Sequence, residues 1–537
     1  MAHPFFAALH GVDIQLPDGR ILFHDLHETF GLETVGLIGH NGSGKSTLGR
    51  AIAGELATAA GRIERPGRVR YVAQQTGPTE AASLAELAGL AAPLEALRRL
   101  AAGAARDQDF ELVGERWDLE ARWQAMLAQA GLDETMAPAA LSGGQRTLLG
   151  LVGAFCGDAD LLVLDEPGNH LDRAHRAFLL EQMGAWRRSG RGLLLISHDR
   201  ELLEHVERIL EVRAGGLRRY GGNWTATAAE RAAEREAAGA RLERARVERR
   251  QGEAQLREQA ARAARRNARG ERAAAAGGQP RIVLNAQPQR AQQTDGARAE
   301  RHARQREEWQ AEVGDAHAVV DALGQAPAFP RLDAAIPEGQ VALALDALVA
   351  RWGPRQPLSW AVSGPARIAI CGPNGCGKST LLRTVAGALA PQSGSVRGLP
   401  GVLIDQHLGL LDPDASLLEQ LRAVATGVDE GRLRQMLAIA GLGPERVLRP
   451  SGTLSGGERM RGALLLAVLG QPTPRLLMLD EPTNHLDLGS VEALEGMLGS
   501  WEGALVVVSH DARFLEALGL THRVAWSAEG WVVEDTR

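Results

Sequence analysis

The chain has 537 residues, a formal net charge of −6, 45% hydrophobic residues and only 4% aromatic ones. At about 150 residues per domain this length exceeds one core and suggests three or four units, built mainly from Leu, Val, Ile and Ala. Three cysteines without metal-ligand spacing (Cys156, Cys371, Cys376), an N-terminus lacking a basic stretch before an apolar one, and apolar runs far below roughly 18 residues argue against a disulfide framework, a signal peptide and a membrane span. A soluble cytoplasmic protein is expected.

In chain order, the first informative element is an apolar strand leading into Gly39-His-Asn-Gly-Ser-Gly-Lys-Ser-Thr47. Glycines let consecutive backbone N–H groups and a helix N-terminus close around a β-phosphate. Lys45 is then placed to bridge β- and γ-phosphate oxygens, and Ser46 to hold Mg2+. A short strand follows at Tyr71-Val-Ala-Gln74, then an Ala/Leu-rich helical region over residues 80–130. Next come Leu141-Ser-Gly-Gly-Gln145 and the run Leu161-Leu-Val-Leu-Asp-Glu166. Continuous apolar runs of this kind read as buried parallel strands in an α/β domain. Asp165 ends its strand where an acid reaches a metal directly or through water. Glu166 points to the other side of the extended chain by period-two alternation, where it can take a proton from an attacking water. Leu194-Leu-Ile-Ser-His198 closes the series.

A different composition follows. From Thr225 to Gln310 there are 19 Arg and 12 acidic residues, a net charge of +7. The stretch at about 228–264 has helical propensity with interleaved charges. The returning arm places Trp309, Val313, Ala316, Val320 and Leu323 on a heptad seam. Gly277-Gly278, Pro280 and Pro288 forbid one continuous helix, so the insert reads as a helical hairpin with an irregular, basic tip. Trp309 reads as a packing residue of that hairpin, with base stacking as the alternative. Arg265, Arg266, Arg269 and Arg272 are candidate nucleic-acid contacts, since Arg suits bidentate phosphate binding.

The same marks then recur. They are Gly372-Pro-Asn-Gly-Cys-Gly-Lys-Ser-Thr380, Leu403-Ile-Asp-Gln406, Leu454-Ser-Gly-Gly-Glu458, Leu476-Leu-Met-Leu-Asp-Glu481 and Val506-Val-Val-Ser-His510. Lysine-to-histidine intervals are 153 residues in the first half and 132 in the second, the surplus lying mostly between Gln74 and Ser142. Lys45 and Lys378 are the only lysines beside 58 arginines, both at the same place in a phosphate loop. A compact ammonium fits under phosphates where a planar guanidinium does not.

This combination resembles the ATP-binding cassette ATPases. The run Asp480-Glu-Pro-Thr-Asn-His-Leu-Asp487, repeated in the first half with Gly168 in place of the threonine, resembles the ABC-F family. The resemblance covers essentially the whole chain. It implies an α/β protein of two P-loop ATP-binding cassette domains, 1–222 and 336–537. A long α-helical hairpin linker, 223–335, joins them and opens at Tyr220-Gly-Gly-Asn-Trp224. It further implies ATP hydrolysis with Mg2+, by a monomer whose halves pair intramolecularly. Lys45, Asp165, Glu166 and His198 then share one ATP with Ser455, Gly456 and Gly457. Lys378, Asp480, Glu481 and His510 share the other with Ser142, Gly143 and Gly144.

Around each ATP, Gly39, Asn41, Gly42, Gly44, Ser46 and Thr47, and Gly372, Asn374, Gly375, Gly377, Ser379 and Thr380, complete the phosphate loops. Gln74 and Gln406 join Ser46, Asp165, Ser379 and Asp480 on the metal side. Trp352 either stacks on adenine, as an aromatic does there in the family, or is a half-buried residue at a strand edge. Gly168 leaves open the hydrogen bonding of the loop after Glu166.

Three functional readings follow. The first is an ABC-F-like ATPase acting on ribosomes, its linker reaching rRNA or tRNA. The second is the ATPase of a transporter with separate membrane subunits, which requires no basic linker of about 100 residues. The third is a DNA-acting member of the same family.

Overall fold

A computed structural model describes residues 5–16, 18–73, 81–169, 171, 173–213, 215–275, 300–320, 329, 334–484, 486–527 and 529–536. Gln74, the expected helix-breaking positions Gly277, Gly278, Pro280 and Pro288, and the seam position Leu323 lie outside them. The chain divides into a body, Met1–Thr227 with Ala326–Arg537, and a helical unit, Ala228–Gln325.

Within the body the two halves repeat one topology. Strands of the first large sheet run in the order Val69–Val72, Leu161–Asp165, Gly192–Ile196, Thr34–Gly39, Arg208–Arg213, Gly216–Gly221. The second follows the same order with Gly401–Ile404, Leu476–Asp480, Ala504–Val508, Arg367–Cys371, His522–Trp526, Trp531–Asp535. Pairing is parallel except for the last strand of each sheet. Leu161–Asp165, Gly192–Ile196, Leu476–Asp480 and Ala504–Val508 are buried at every position. That double-sided burial is why they read as unbroken apolar runs and not as alternating ones.

A three-stranded antiparallel sheet covers one side of each half: Ile21–Phe30, Ala7–Gln15 and Ala60–Glu64, then Leu358–Ser363, Val341–Val349 and Ser393–Gly398. In the first half, Ile14, Phe23 and Phe30 from this sheet pack with Leu37, Leu194 and Ile196 of the large one. The enlarged region carries helices Ala91–Ala101, Asp107–Val113 and Leu119–Gln129, where the second half has Leu417–Val424 and Glu430–Ile439.

Because the central strands are parallel, the phosphate loop, the histidine and the acid pair leave three neighbouring strands at the same end. That is where ligands sit in α/β sheets. No helix among the described residues is long and apolar enough to cross a membrane.

The helical unit departs from expectation at its tip. The first arm begins at Trp224 and continues to Ala275, so Arg265, Arg266, Arg269 and Arg272 lie on a helix and not on an irregular segment. Ala and Arg have high helix propensity, and the isolated glycines Gly239, Gly252 and Gly270 are tolerated. Residues 300–320 are helical. Trp309 lies against Gly252, where an added Cβ would sit 2.1 Å from the ring, so its packing reading holds. Among the other seam positions Ala316 is buried, and Val313 and Val320 are half-buried.

Candidate nucleotide site

Both phosphate loops have the same local geometry. Gly44 and Gly377 cap the following helices, Lys45–Ala53 and Lys378–Val385, in the left-handed region at φ 96° and 100°. A side chain there would also strike Phe23 in the first loop, or the carbonyl of Trp352 in the second. Each buried lysine folds back onto its own loop. Lys45 Nζ donates to the carbonyls of Gly39 and His40 at 2.9 Å, and Lys378 Nζ to those of Gly372 and Pro373 at 2.9 and 3.0 Å. Burial lowers the Lys45 ammonium from its ordinary value.

The acids stand opposite. Ser379 Oγ donates to Asp480 Oδ1 at 2.9 Å, whereas Asp165 Oδ2 accepts from Tyr71 Oη at 2.5 Å. Glu166 and Glu481 do not continue their strands. Each has a left-handed backbone, φ 49° and 47°, its N–H bonded to the carbonyl of Ile196 or Val508. The expectation that period-two alternation aims these glutamates is therefore corrected. A tight turn fixes their direction, at a cost of roughly 1–3 kcal/mol each for a non-glycine residue.

Burial is the main force on these groups. It raises the Glu166 carboxyl to about 8 and Glu481 to about 7 against the opposing lysine charges. It depresses His198 to about 3, aided by Lys45. His510 Nε2 lies 3.2 Å from Glu481 Oε1; His198 Nε2 lies 3.5 Å from Glu166 Oε1, too long for a good hydrogen bond. Both His198 nitrogens and Glu166 Oε1 are therefore buried without a hydrogen-bond partner among the described residues. Polar groups so placed call for a ligand or water.

The first loop opens onto a cavity of about 470 Å3, within the roughly 300–1,000 Å3 typical of ligand pockets. Asn41, Gly42, Gly44, Lys45, Ser46, Thr47, Asp165, Glu166 and His198 line it, joined from the second half by Glu481, Thr483, Asn484 and His510. Ser455, Gly456 and Gly457 are not among its lining residues. Ser142 and Ser455 instead cap helices Gly143–Cys156 and Gly456–Val468 in reciprocal boxes with Gln145 and Glu458. Gly457 allows close packing on Ser490, since a Cβ there would fall 2.0 Å from its hydroxyl.

Asp487 makes an inter-half contact to the first loop. It accepts the Asn41 N–H at 3.0 Å and faces His40 Nδ1 at 3.3 Å. Burial alone would raise its carboxyl, but the bonds from His40, Asn41 and Ser490 outweigh that and hold it well below the usual range. Sequence reasoning quoted Asp487 as the end of a repeated motif and gave it no role; the repeat was the available signal. Gly168 also gains a cause: a Cβ there would lie 2.9 Å from Leu202 and 3.2 Å from Asp199.

At the second loop, Gly375, Asn374 and Thr380 occupy the positions matching Gly42, Asn41 and Thr47. Trp352 is 61% exposed beside Gly377, so it is not a half-buried strand residue. Gln406 is exposed on the turn after Gly401–Ile404.

The family profile described as ABC transporter matches residues 29–169 and 356–484. The chain is 31% identical over 550 residues to the tylosin resistance ATP-binding protein TlrC of Streptomyces fradiae, covering 94% of each. It is also 31% identical over 557 residues to the energy-dependent translational throttle protein EttA of Mycobacterium tuberculosis (strain ATCC 25618 / H37Rv), covering 97% of this chain and 90% of that protein. Among solved structures, the archaeal ribosome recycling factor aABCE1 in complex with the ribosomal stalk protein aP1 aligns with a TM-score of 0.59. That match covers 97% of this chain and 88% of the other at 17% identity, a likeness of fold alone. With two cassettes in one polypeptide and relatives matched across nearly its full length, the chain belongs to the ABC-F family of tandem ATP-binding cassette ATPases.

Proposed function

We propose that this ATPase acts on the ribosome in the cytoplasm, closing its two cassettes on ATP and contacting RNA through its linker. Four linker arginines carry the reading. Arg265, Arg266, Arg269 and Arg272 are exposed and make no ion pair among the described residues. Some other arginines of the same helix are paired, as in Arg246–Glu243 and Arg262–Glu258. Unpaired guanidinium groups three and four residues apart suit a phosphate backbone. The similar protein from Mycobacterium tuberculosis is named for an action on translation.

In this reading Lys45 and Lys378 leave their loop carbonyls for the β- and γ-phosphates. The hydroxyl of Ser379 and the carboxylate of Asp480, hard oxygen donors already 2.9 Å apart, fit Mg2+, as do those of Ser46 and Asp165. Mg2+, when bound, supplies charge neutralisation on the phosphate oxygens. Glu166 and Glu481 take the proton of the attacking water, and His198 and His510 hold its geometry. Ser142 to Gly144 and Ser455 to Gly457 close over the opposite loops, and Trp352 stacks on adenine.

The test is pelleting with purified ribosomes, using the Glu166→Gln/Glu481→Gln protein and ATP. Four phosphate contacts at a slope of about 0.7–0.9 each predict roughly 10²-fold weaker binding between 50 and 200 mM salt. Changing the four arginines to Ala should flatten that slope. Equal pelleting of both proteins at every salt, or tighter binding to duplex DNA than to ribosomes, overturns the reading.

A further inference from the structure

The two halves differ at a pair of positions beside the strand-end acids. Tyr71 stands three residues before Gln74, and the second half has Leu403 three residues before Gln406. Tyr71 Oη donates to Asp165 Oδ2 at 2.5 Å, while the matching Asp480 accepts from Ser379 Oγ at 2.9 Å. Ser46, the counterpart of Ser379, is exposed and makes no bond to Asp165 among the described residues.

A second exchange seats the phenol. Gly49 lies four residues after Lys45, inside helix Lys45–Ala53; a Cβ there would lie 3.3 Å from the Tyr71 ring, 2.8 Å from Ile196 and 3.1 Å from Val163. The matching residue after Lys378 is Leu382, fully buried. A mid-helix glycine costs stability. Here it gives up the volume that the tyrosine ring fills, and the second half has Leu382 with Leu403 instead.

We propose that Tyr71 is a positioning residue that makes the two nucleotide sites unequal in their hold on the divalent cation, the first binding it more weakly than the second. The inference rests on Asp165 and Asp480 being the metal-side acids. A carboxylate oxygen engaged by a short charge-assisted bond shares its charge with that donor. The protonated phenol adds no ligand to the cation, whereas Ser379, the partner of Asp480, is itself a hard oxygen donor. A cation arriving at the first site competes with Tyr71; at the second it meets an acid and a hydroxyl already together.

Losing an outer partner that supports a ligand lowers metal affinity by roughly 10–100-fold; Tyr71 competes for its carboxylate, so its loss acts in the opposite direction. The full chain carrying Glu166→Gln and Glu481→Gln, which holds ATP without consuming it, is titrated with Mn2+, and free Mn2+ is read by electron paramagnetic resonance. Two classes of ATP-dependent site, about tenfold apart, are expected. Tyr71→Phe, which keeps the ring, should tighten the weaker class toward the stronger and leave the stronger unchanged; Tyr71→Leu should act in the same direction. Asp165→Asn should weaken the weaker class further. If Asp165→Asn changes neither class, the metal-side assignment itself fails. If it acts as expected while Tyr71→Phe leaves the weaker class unchanged or weakens it, the role of Tyr71 is overturned. A single class in the Tyr71 protein overturns it equally.

Discussion

Asp487 of the second cassette accepts the backbone N–H of Asn41, in the phosphate loop of the first, at 3.0 Å. The other oxygen of the same carboxylate caps the helix Leu488–Gly499 by accepting the Ser490 N–H at 2.8 Å. One side chain thus ties the first phosphate loop to a helix of the opposite cassette.

Replacing Asp487 with Ala removes both bonds, and bonds to a charged group contribute about 1.5–3 kcal/mol each at most. The partner His40 adds a pH dependence. Its imidazole is raised by the bond to Asp487, so its contribution is full below the ordinary 6.5 and lost as pH rises through the higher folded value. The Asp487 carboxyl is lowered, so its contribution is full above about 4 and lost only in acid. The difference in melting temperature between the unchanged protein and His40→Asn should therefore be largest at pH 5–6 and shrink above pH 7. It should be small, because the His40 side chain is 80% exposed. A difference that stays flat across this range means the ion pair contributes nothing.

Glu166→Gln with Glu481→Gln should keep ATP binding and lose turnover by roughly 10²–10⁴-fold, the usual worth of a positioned general base. Phosphate release and nucleotide binding measured on the same preparation separate the two effects. Near-unchanged turnover means these glutamates are not the base.

Arg200, two residues after His198 and 8% exposed, donates to both oxygens of Glu495 at 2.7 and 3.3 Å. Breaking a buried pair on one side strands the other charge, at a cost of about 3–5 kcal/mol. Arg200→Met should lower the unfolding midpoint markedly, and adding Glu495→Met should recover much of the loss. Additive effects in this double-mutant cycle would show that the two side chains are not coupled.

Gly252→Leu should disrupt the linker hairpin, since even a Cβ at that position meets the Trp309 ring. Expected are increased proteolysis at linker arginines and reduced helix content, with basal ATP hydrolysis unchanged because the linker carries no residue of the nucleotide site. The contact has no structural weight if digestion proceeds at the rate of the unchanged protein.

Much of the architecture was legible because each mark is local. A glycine-rich loop before a helix, an apolar run before two acids and a Ser-His after a strand each announce one element, and their repetition announces two cassettes. The seam carrying Trp309 told that it packs, while only the folded hairpin supplied Gly252 as its partner. The first arm outran its expected end because helix propensity persists to Ala275. What decides the site's detail is not local. Tyr71 and Asp165 are 94 positions apart, and Asn41 and Asp487 are 446 apart. The left-handed backbone of Glu166 and Glu481 is imposed by the neighbouring strand's carbonyl, not by the glutamate's own preference. The sequence by itself determined which elements form, since propensity and apolar pattern act over a few residues. Only the tertiary structure decided which side chains meet, because packing of strands and cassettes brings together groups whose attraction has no trace in local order.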